Sequence, residues 1–482
     1  MKQIINRIRA NFPASTNWKF WISLALVVKT LFFILKSIEL NSIDFSFSFS
    51  AGDTDSYITP IENLIANGEY YDDYRMPGYG WLYYIFRLIF SQTWALNFLV
   101  FTQVFLSAVS VYVLGLISLN IFEKKSFFLL TYFLYLVSTY VSLTDHFLLT
   151  ESLCTSGLIF SIYFLLKGGR NYFWSGLFLT WVIFLRPVFF PLLFLHGFYI
   201  ILSSKVNQVK LKTSLLKNMF FLFISFILID GAWIARNYVK YSKISPLTKT
   251  IYYPGISDSY KGAVIRFLNS YGGSIVFWLH SSDVTFFIPL RDGTKKEIYL
   301  PNNIYTNVFN SDSLFLVKNM IISIESKSTP TLEKQLLENE VISKLDRYSN
   351  SIKNEKPFLY YIGSRIKVFK TFFLHSGTYN LFKNSSYELN MFEYTIKIFY
   401  SLLYAFVVLF GFIGLFSFLL LRINNIKFFF ISCTGLYSAL VFPFLLKMDE
   451  YRYFVPGYPI FILGTTYIVL SIYSTVNKKT NE

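Results

Sequence analysis

The sequence predicts an all-α polytopic membrane protein: a bundle of about ten (10–13) transmembrane helices, with interfacial helices in the first outer loop and a large mixed external insertion. Three observations predict it. Charged residues make up only 15% of the chain, where a soluble domain carries about 25%. Apolar runs of membrane length recur along it. Lys and Arg collect at alternate junctions between those runs.

A bilayer core takes about 20 mostly apolar residues per helix, with roughly 17 to 25 tolerated. On that ruler the candidate spans lie near 19–40, 94–122, 126–144, 147–166, 171–186, 188–204, 214–235, 394–421, 427–446 and 456–475. The fifth and sixth are short and flank Arg186-Pro187, so they read equally as one broken or re-entrant unit. The first run is long and no small-residue cleavage site follows it, which fits a signal anchor. Cys154 and Cys433 lie inside apolar runs and read as small buried hydrophobes, not as a disulfide.

Charge sets the expected orientation. With the N-terminus inside, the inner junctions hold Lys19, Lys124, Lys125, Lys167, Arg170, Lys217 and Lys427, and almost no acid apart from Glu123 and Glu482. The positive-inside rule favours that arrangement. Both termini are then cytoplasmic, in an inner (cytoplasmic) membrane, and a Phe/Ile/Lys/Asn-rich composition suggests a bacterial source. A net charge of +16 would suggest nucleic acid in a soluble protein. Here it is accounted for by the inner belt, and no nucleic-acid partner is expected. Two long segments face outward, 41–93 and 236–393. Loops of that length are functional or carry structure of their own. The chain therefore divides into an N-terminal transmembrane module (1–235, including outer loop 41–93), an external region (236–393) and C-terminal spans (394–482).

The first outer loop is the most informative stretch. Thr59, Pro60 and Glu62 match a capped helix start, and Asn67-Gly68 matches its stop. Ile61, Leu64 and Ile65 share one face, as in a helix lying on a membrane surface. A second interfacial helix is expected within 79–90. Asp53 and Asp55 sit just ahead of the first helix, with Asp72, Asp73 and Arg75 downstream. An Asp before a helix is most often a turn or cap residue. Crowding of charge beside apolar surface points the other way, to function.

Further on, Asp145, His146 and Glu151 cluster between the third and fourth spans. They read either as helix-turn residues or as ligands of a divalent metal; no cofactor is otherwise implied. Arg186, Arg236 and Arg452 all fall on the outer side, against the charge bias. Such arginines either snorkel to the interface or bind a phosphate, which the guanidinium fork suits. Residues 337–379 read as two amphipathic helices meeting near Asn354-Glu355-Lys356-Pro357, and 245–310 have the composition of short strands.

The pattern Asp53-x-x-x-Tyr57, then Asn67-Gly68, then Arg75-Met76-Pro77-Gly78-Tyr79 resembles the first external loop of the GT-C glycosyltransferase superfamily. That superfamily includes protein O-mannosyltransferases and the lipid A aminoarabinose transferase. Leu148-Leu149-Thr150-Glu151, Trp233-Ile234-Ala235-Arg236-Asn237-Tyr238 and Arg452-Tyr453-Phe454-Val455-Pro456 extend the likeness. The second acidic residue stands one position later than usual, at Asp55, and Met76 stands where Pro is common. The resemblance implies transfer of a sugar from a polyprenyl-phosphate donor to a glycan, lipid or protein acceptor on the extracytoplasmic face. It implies Asp53 as the base, with Asp55 and Glu151 as further acidic site residues. It implies Arg186, Arg236, Arg452 and Arg75 for the donor phosphate. Tyr57, Tyr79, Asp145, His146 and Tyr453 would line the pocket. Chemically, one base and several cations suffice, because the phosphate leaves as a stable anion. A transporter or flippase of lipid-linked sugars is the competing expectation, and a polysaccharide ligase or polymerase the next.

Overall fold

A computed structural model describes residues 17–39, 47–70, 75–206, 212–247, 259–277, 282–288, 298–326, 329–382, 388–421 and 425–479. Among the described residues there are helices and two isolated bridges, but no strand. The main helices, in chain order, are α1 (Trp18–Glu39), α2 (Thr54–Asn67), α3 (Gly80–Arg87), α4 (Gln92–Phe122), α5 (Lys125–Leu136), α6 (Glu151–Lys167), α7 (Asn171–Leu185), α8 (Pro191–Val206) and α9 (Lys212–Tyr241). They continue as α10 (Tyr260–Tyr271), α11 (Ser311–Glu325), α12 (Thr331–Glu355), α13 (Ser364–Leu374), α14 (Met391–Leu421), α15 (Ile426–Leu440) and α16 (Tyr458–Lys479).

Seven described helices are long and apolar enough to cross a membrane, or eight if α5 and the segment Thr139–His146 count as one span bent by 46°. The chain is thus an all-α multi-pass membrane protein. The expected ten is not reached, although a helix lies at each of the ten runs. α6 has 17 residues and α7 has 15. At about 1.5 Å per residue α7 falls short of a bilayer core and α6 stands at the lower limit of the tolerated length. Residues 151–162 of α6 are buried without interruption, beside α4 and α7. A helix enclosed by its neighbours need not match the lipid thickness itself.

Two compact units divide the chain. The first comprises residues 1–249, 376–438 and 454–482; the second comprises 250–375 and 439–453. In the first, lipid provides no hydrophobic drive between helices, so small residues and internal polar bonds hold them. A Cβ at Gly176 of α7 would lie 2.0 Å from the Leu222 carbonyl oxygen of α9. One at Gly414 of α14 would lie 2.2 Å from the Gly464 carbonyl oxygen of α16. Thr131 donates to Thr466 at 3.1 Å, and Ser161 meets the His196 ring at 3.1 Å.

The second unit has its own core, in which Phe267, Phe287, Phe309 and Tyr348 pack with Leu268, Val317 and Leu345. The strand-like composition of 245–310 yields no strand among the described residues there, which hold α10 and the helical turn Val284–Phe287. Aromatic richness favours strands on propensity, but here the rings fill a helical core. The two helices expected to meet near Pro357 do so: α12 ends at Glu355 and a helical stretch follows, through the wide turn Leu359–Gly363 into α13.

Candidate active site

The site begins at the turn before α2. The Thr54 N–H donates to the Ala51 carbonyl at 2.9 Å and the Ser56 N–H to the Asp53 carbonyl at 3.1 Å. Thr54 Oγ1 accepts from the Ala51 N–H at 2.8 Å and donates to the Leu148 carbonyl at 3.1 Å. These bonds start α2 at Thr54, ahead of the Thr59-Pro60 start the sequence predicts. Pro60 falls inside the helix. Its ring removes one bond to the preceding turn, which the tertiary anchorage at Thr54 and Leu148 offsets. The stop is as expected, with Gly68 left-handed at φ 72°.

Asp53 therefore stands at the N-cap. An N-cap Asp ordinarily accepts from the first helical N–H groups. Here the side chain makes no cap bond. Its Oδ1 accepts from Arg75 Nη2 at 3.0 Å. Arg75 Nε donates to Ser56 Oγ at 3.0 Å, and the guanidinium carbon stands 4.5 Å from the centre of the Tyr57 ring.

A second ion pair comes from α6 and α7. Residues 47–49 run beside 146–148: the Phe49 N–H donates to the His146 carbonyl at 3.2 Å, and the Leu148 N–H to the Phe49 carbonyl at 3.0 Å. Two residues past this register is Thr150, and α6 opens with Glu151. α7 packs on α6 and ends just before Arg186. Arg186 Nη2 meets Glu151 Oε1 at 2.5 Å, and Arg186 Nε donates to Thr150 Oγ1 at 3.0 Å.

The turn Met76-Pro77-Gly78 brings the two pairs into register. Trp181 Nε1 donates to the Gly78 carbonyl at 3.1 Å. A Cβ at Gly78 would sit 2.5 Å from the Phe184 carbonyl carbon, so only glycine permits this approach. Met76, Phe184 and Trp233 form a buried cluster at the same place. The Tyr57 hydroxyl lies within electrostatic reach of Arg75 and Asp53 and also of Arg186 and Glu151. Burial, the larger effect, holds the Tyr57 phenol protonated by pushing its ionisation up. Tyr79 is similarly raised by burial, then by Tyr57 and Glu151, and its hydroxyl donates to Gln103 Oε1 at 3.0 Å.

Asp53, Arg75, Tyr57, Tyr79, Glu151 and Arg186 thus form one cluster. The side chains of Asp145, His146 and Arg236 make other contacts. Asp55 is exposed in the first turn of α2. Asp145 faces Lys29, whose Nζ lies 3.4 Å from Oδ2 and 2.8 Å from Ser142 Oγ; Ser152 Oγ donates to Asp145 Oδ1 at 2.5 Å. The His146 ring stacks on Phe33 at 4.5 Å. Among the described residues no group of three His, Cys, Asp or Glu side chains could hold a metal. Arg236 bonds the Tyr70 carbonyl and sits among the rings of Tyr70, Trp233 and Tyr241. Arg452 and Tyr453 belong to the second unit. There Arg452 pairs with Glu450, Nη2 to Oε2 at 3.3 Å, and Tyr453 stacks on Phe442. Asp72 and Asp73 lie outside the described residues.

Ser56, Thr150 and Trp181 escape a sequence reading. Ser56 and Thr150 lie inside the motifs, but nothing local shows that their hydroxyls hold guanidiniums. No protein-family model, curated protein or solved structure matches the chain. Chemically, the cluster offers a carboxylate able to take a proton and two guanidiniums able to hold an oxyanion, at one end of a helix bundle.

Proposed function

We propose that this chain is a membrane glycosyltransferase of GT-C type, which moves a sugar from a polyprenyl-phosphate donor to an acceptor hydroxyl. The observation that carries the reading is the carboxylate of Asp53. It occupies a cap position, declines the cap bond, and turns instead to a guanidinium in a two-arginine, two-acid cluster. Asp53 takes the acceptor O–H proton as the acceptor oxygen bonds the anomeric carbon. The bond from that carbon to the phosphate oxygen breaks, its electron pair leaves with the polyprenyl phosphate, and the anomeric centre inverts. Arg75 and Arg186 receive the growing negative charge. Glu151 keeps Arg186 in place.

Lipid access is supported by α2 and α3. Ile65, Trp81 and Ile85 are exposed apolar side chains beside the site. Orientation is supported by charge: Lys19, Lys124, Lys125, Lys167, Arg170 and Lys427 sit at the helix ends opposite the cluster. By the positive-inside rule those ends are cytoplasmic and the cluster is extracytoplasmic. A flippase is the second reading, favoured by the Lys29–Asp145 pair buried among the spans. The two separate in membranes given labelled polyprenyl-phosphate sugar. Label on a new acceptor, lost with Asp53→Asn, supports the transferase. Unchanged carrier crossing the bilayer overturns it.

A further inference from the structure

α13 has two unlike faces. Ser364, Val368 and Phe372 form a buried stripe. On the opposite side, at spacings of four, Phe358, Ile362 and Ile366 are bare; Phe358 is 70% exposed and Leu374, at the end of the helix, is 80% exposed. Lys370 continues that stripe and is exposed as well, whereas Lys367 turns away from it, over the Tyr271 ring and 3.6 Å from Asp283.

The buried stripe is fastened to the last turns of an apolar span. Phe442 and Phe444 belong to the span Ile426–Leu446. Phe372 stacks on Phe442 at 6.3 Å and Phe369 lies 5.6 Å from Phe444. Arg365 Nε donates to the Phe444 carbonyl at 3.1 Å. Lys447, which ends the span in a left-handed conformation, donates to the Asn269 carbonyl at 2.9 Å and the Tyr360 carbonyl at 3.3 Å. A helix tied to the end of a span lies at headgroup depth. The span's own Leu445, adjacent to the touched Phe444, is 73% exposed. The bare face of α13 is therefore continued by an exposed apolar side chain of the span itself. In water this face would be an uncovered apolar patch, while a bilayer boundary covers it and leaves Lys370 to reach the headgroups.

We propose that residues 357–374 form an in-plane membrane helix. It seats the second unit on the bilayer surface, with Phe358, Ile362 and Ile366 among the upper acyl chains and Lys370 reaching anionic headgroups. The inference stands whether or not the chain transfers sugar.

The test uses the full chain with Cys154 and Cys433 replaced by Ala, and single cysteines at 358, 362, 366 and, as a control, 353. Each carries a nitroxide, in vesicles of phosphatidylcholine and phosphatidylglycerol. Power saturation then compares access of oxygen, which partitions into lipid, with access of a nickel chelate, which stays in water. Labels at 358, 362 and 366 are expected to favour oxygen several-fold over the label at 353. Nickel-favoured access at those three sites overturns the proposal. Shielding from both reagents also overturns it, because a protein partner or a second copy then covers the face. If the Ala background fails to fold, the native background serves, since Cys154 is buried and Cys433 half-buried against labelling.

Discussion

The two ion pairs within electrostatic reach of Tyr57 are the same chemistry in two settings. Glu151 and Arg186 have side chains 1% and 10% exposed; Asp53 and Arg75 are 21% and 19% exposed. A buried pair loses much of its solvation and cannot lose one partner cheaply. A pair with access to water can exchange partners at little cost. Under the proposed function, Glu151–Arg186 would be the frame, and Asp53–Arg75 the pair that a donor phosphate opens to release the carboxylate.

The largest expected effect tests the open pair. Asp53→Asn should lower transfer by about 10²–10⁴-fold, the usual worth of a positioned base. Thermal unfolding in detergent should barely move. Near-normal transfer would strip Asp53 of its role and leave two merely structural pairs.

Next comes the frame. Arg186→Met leaves Glu151 buried without its counter-charge, which costs about 3–5 kcal/mol. The readout is unfolding followed by the reactivity of Cys154, buried one turn along α6 from Glu151. The matched Arg75→Met, at a pair with more access to water, should destabilise less than Arg186→Met while weakening donor binding. Equal destabilisation by the two variants would erase the distinction between the pairs.

Gly78→Ala tests the joint between them. The added methyl meets the Phe184 backbone, so the turn must shift, at about 1–3 kcal/mol. Activity should fall more than stability does, because Arg75 moves with the turn. An unchanged unfolding temperature would mean that the approach is not tight. Tyr57→Phe is the gentlest change: it keeps the ring under Arg75 and removes one hydroxyl, so the unfolding temperature should barely move. A larger loss would make the phenol itself part of the frame.

Asp53, Arg75, Glu151 and Arg186 were each legible as candidates, because charge at an apolar boundary is conspicuous. Their partners were not. Asp145 and His146 look like neighbours of Glu151 in sequence, but a turn separates them. Asp145 faces Lys29 and His146 stacks on Phe33, leaving Glu151 alone to meet Arg186. The start of α2 was misplaced because Thr59-Pro60-Glu62 is a sound local signal, and only the Thr54–Leu148 bond outweighs it.

What the sequence determined by itself is the membrane class and the positions of the long apolar helices. In lipid each apolar segment must satisfy its own backbone, so helix formation is a local decision, read from composition alone. What only the tertiary structure decided is which helices are long enough to span and which charges meet. Those depend on the enclosure of α6 between its neighbours, and on the register of 47–49 against 146–148. Both are long-range packing outcomes that no local pattern encodes.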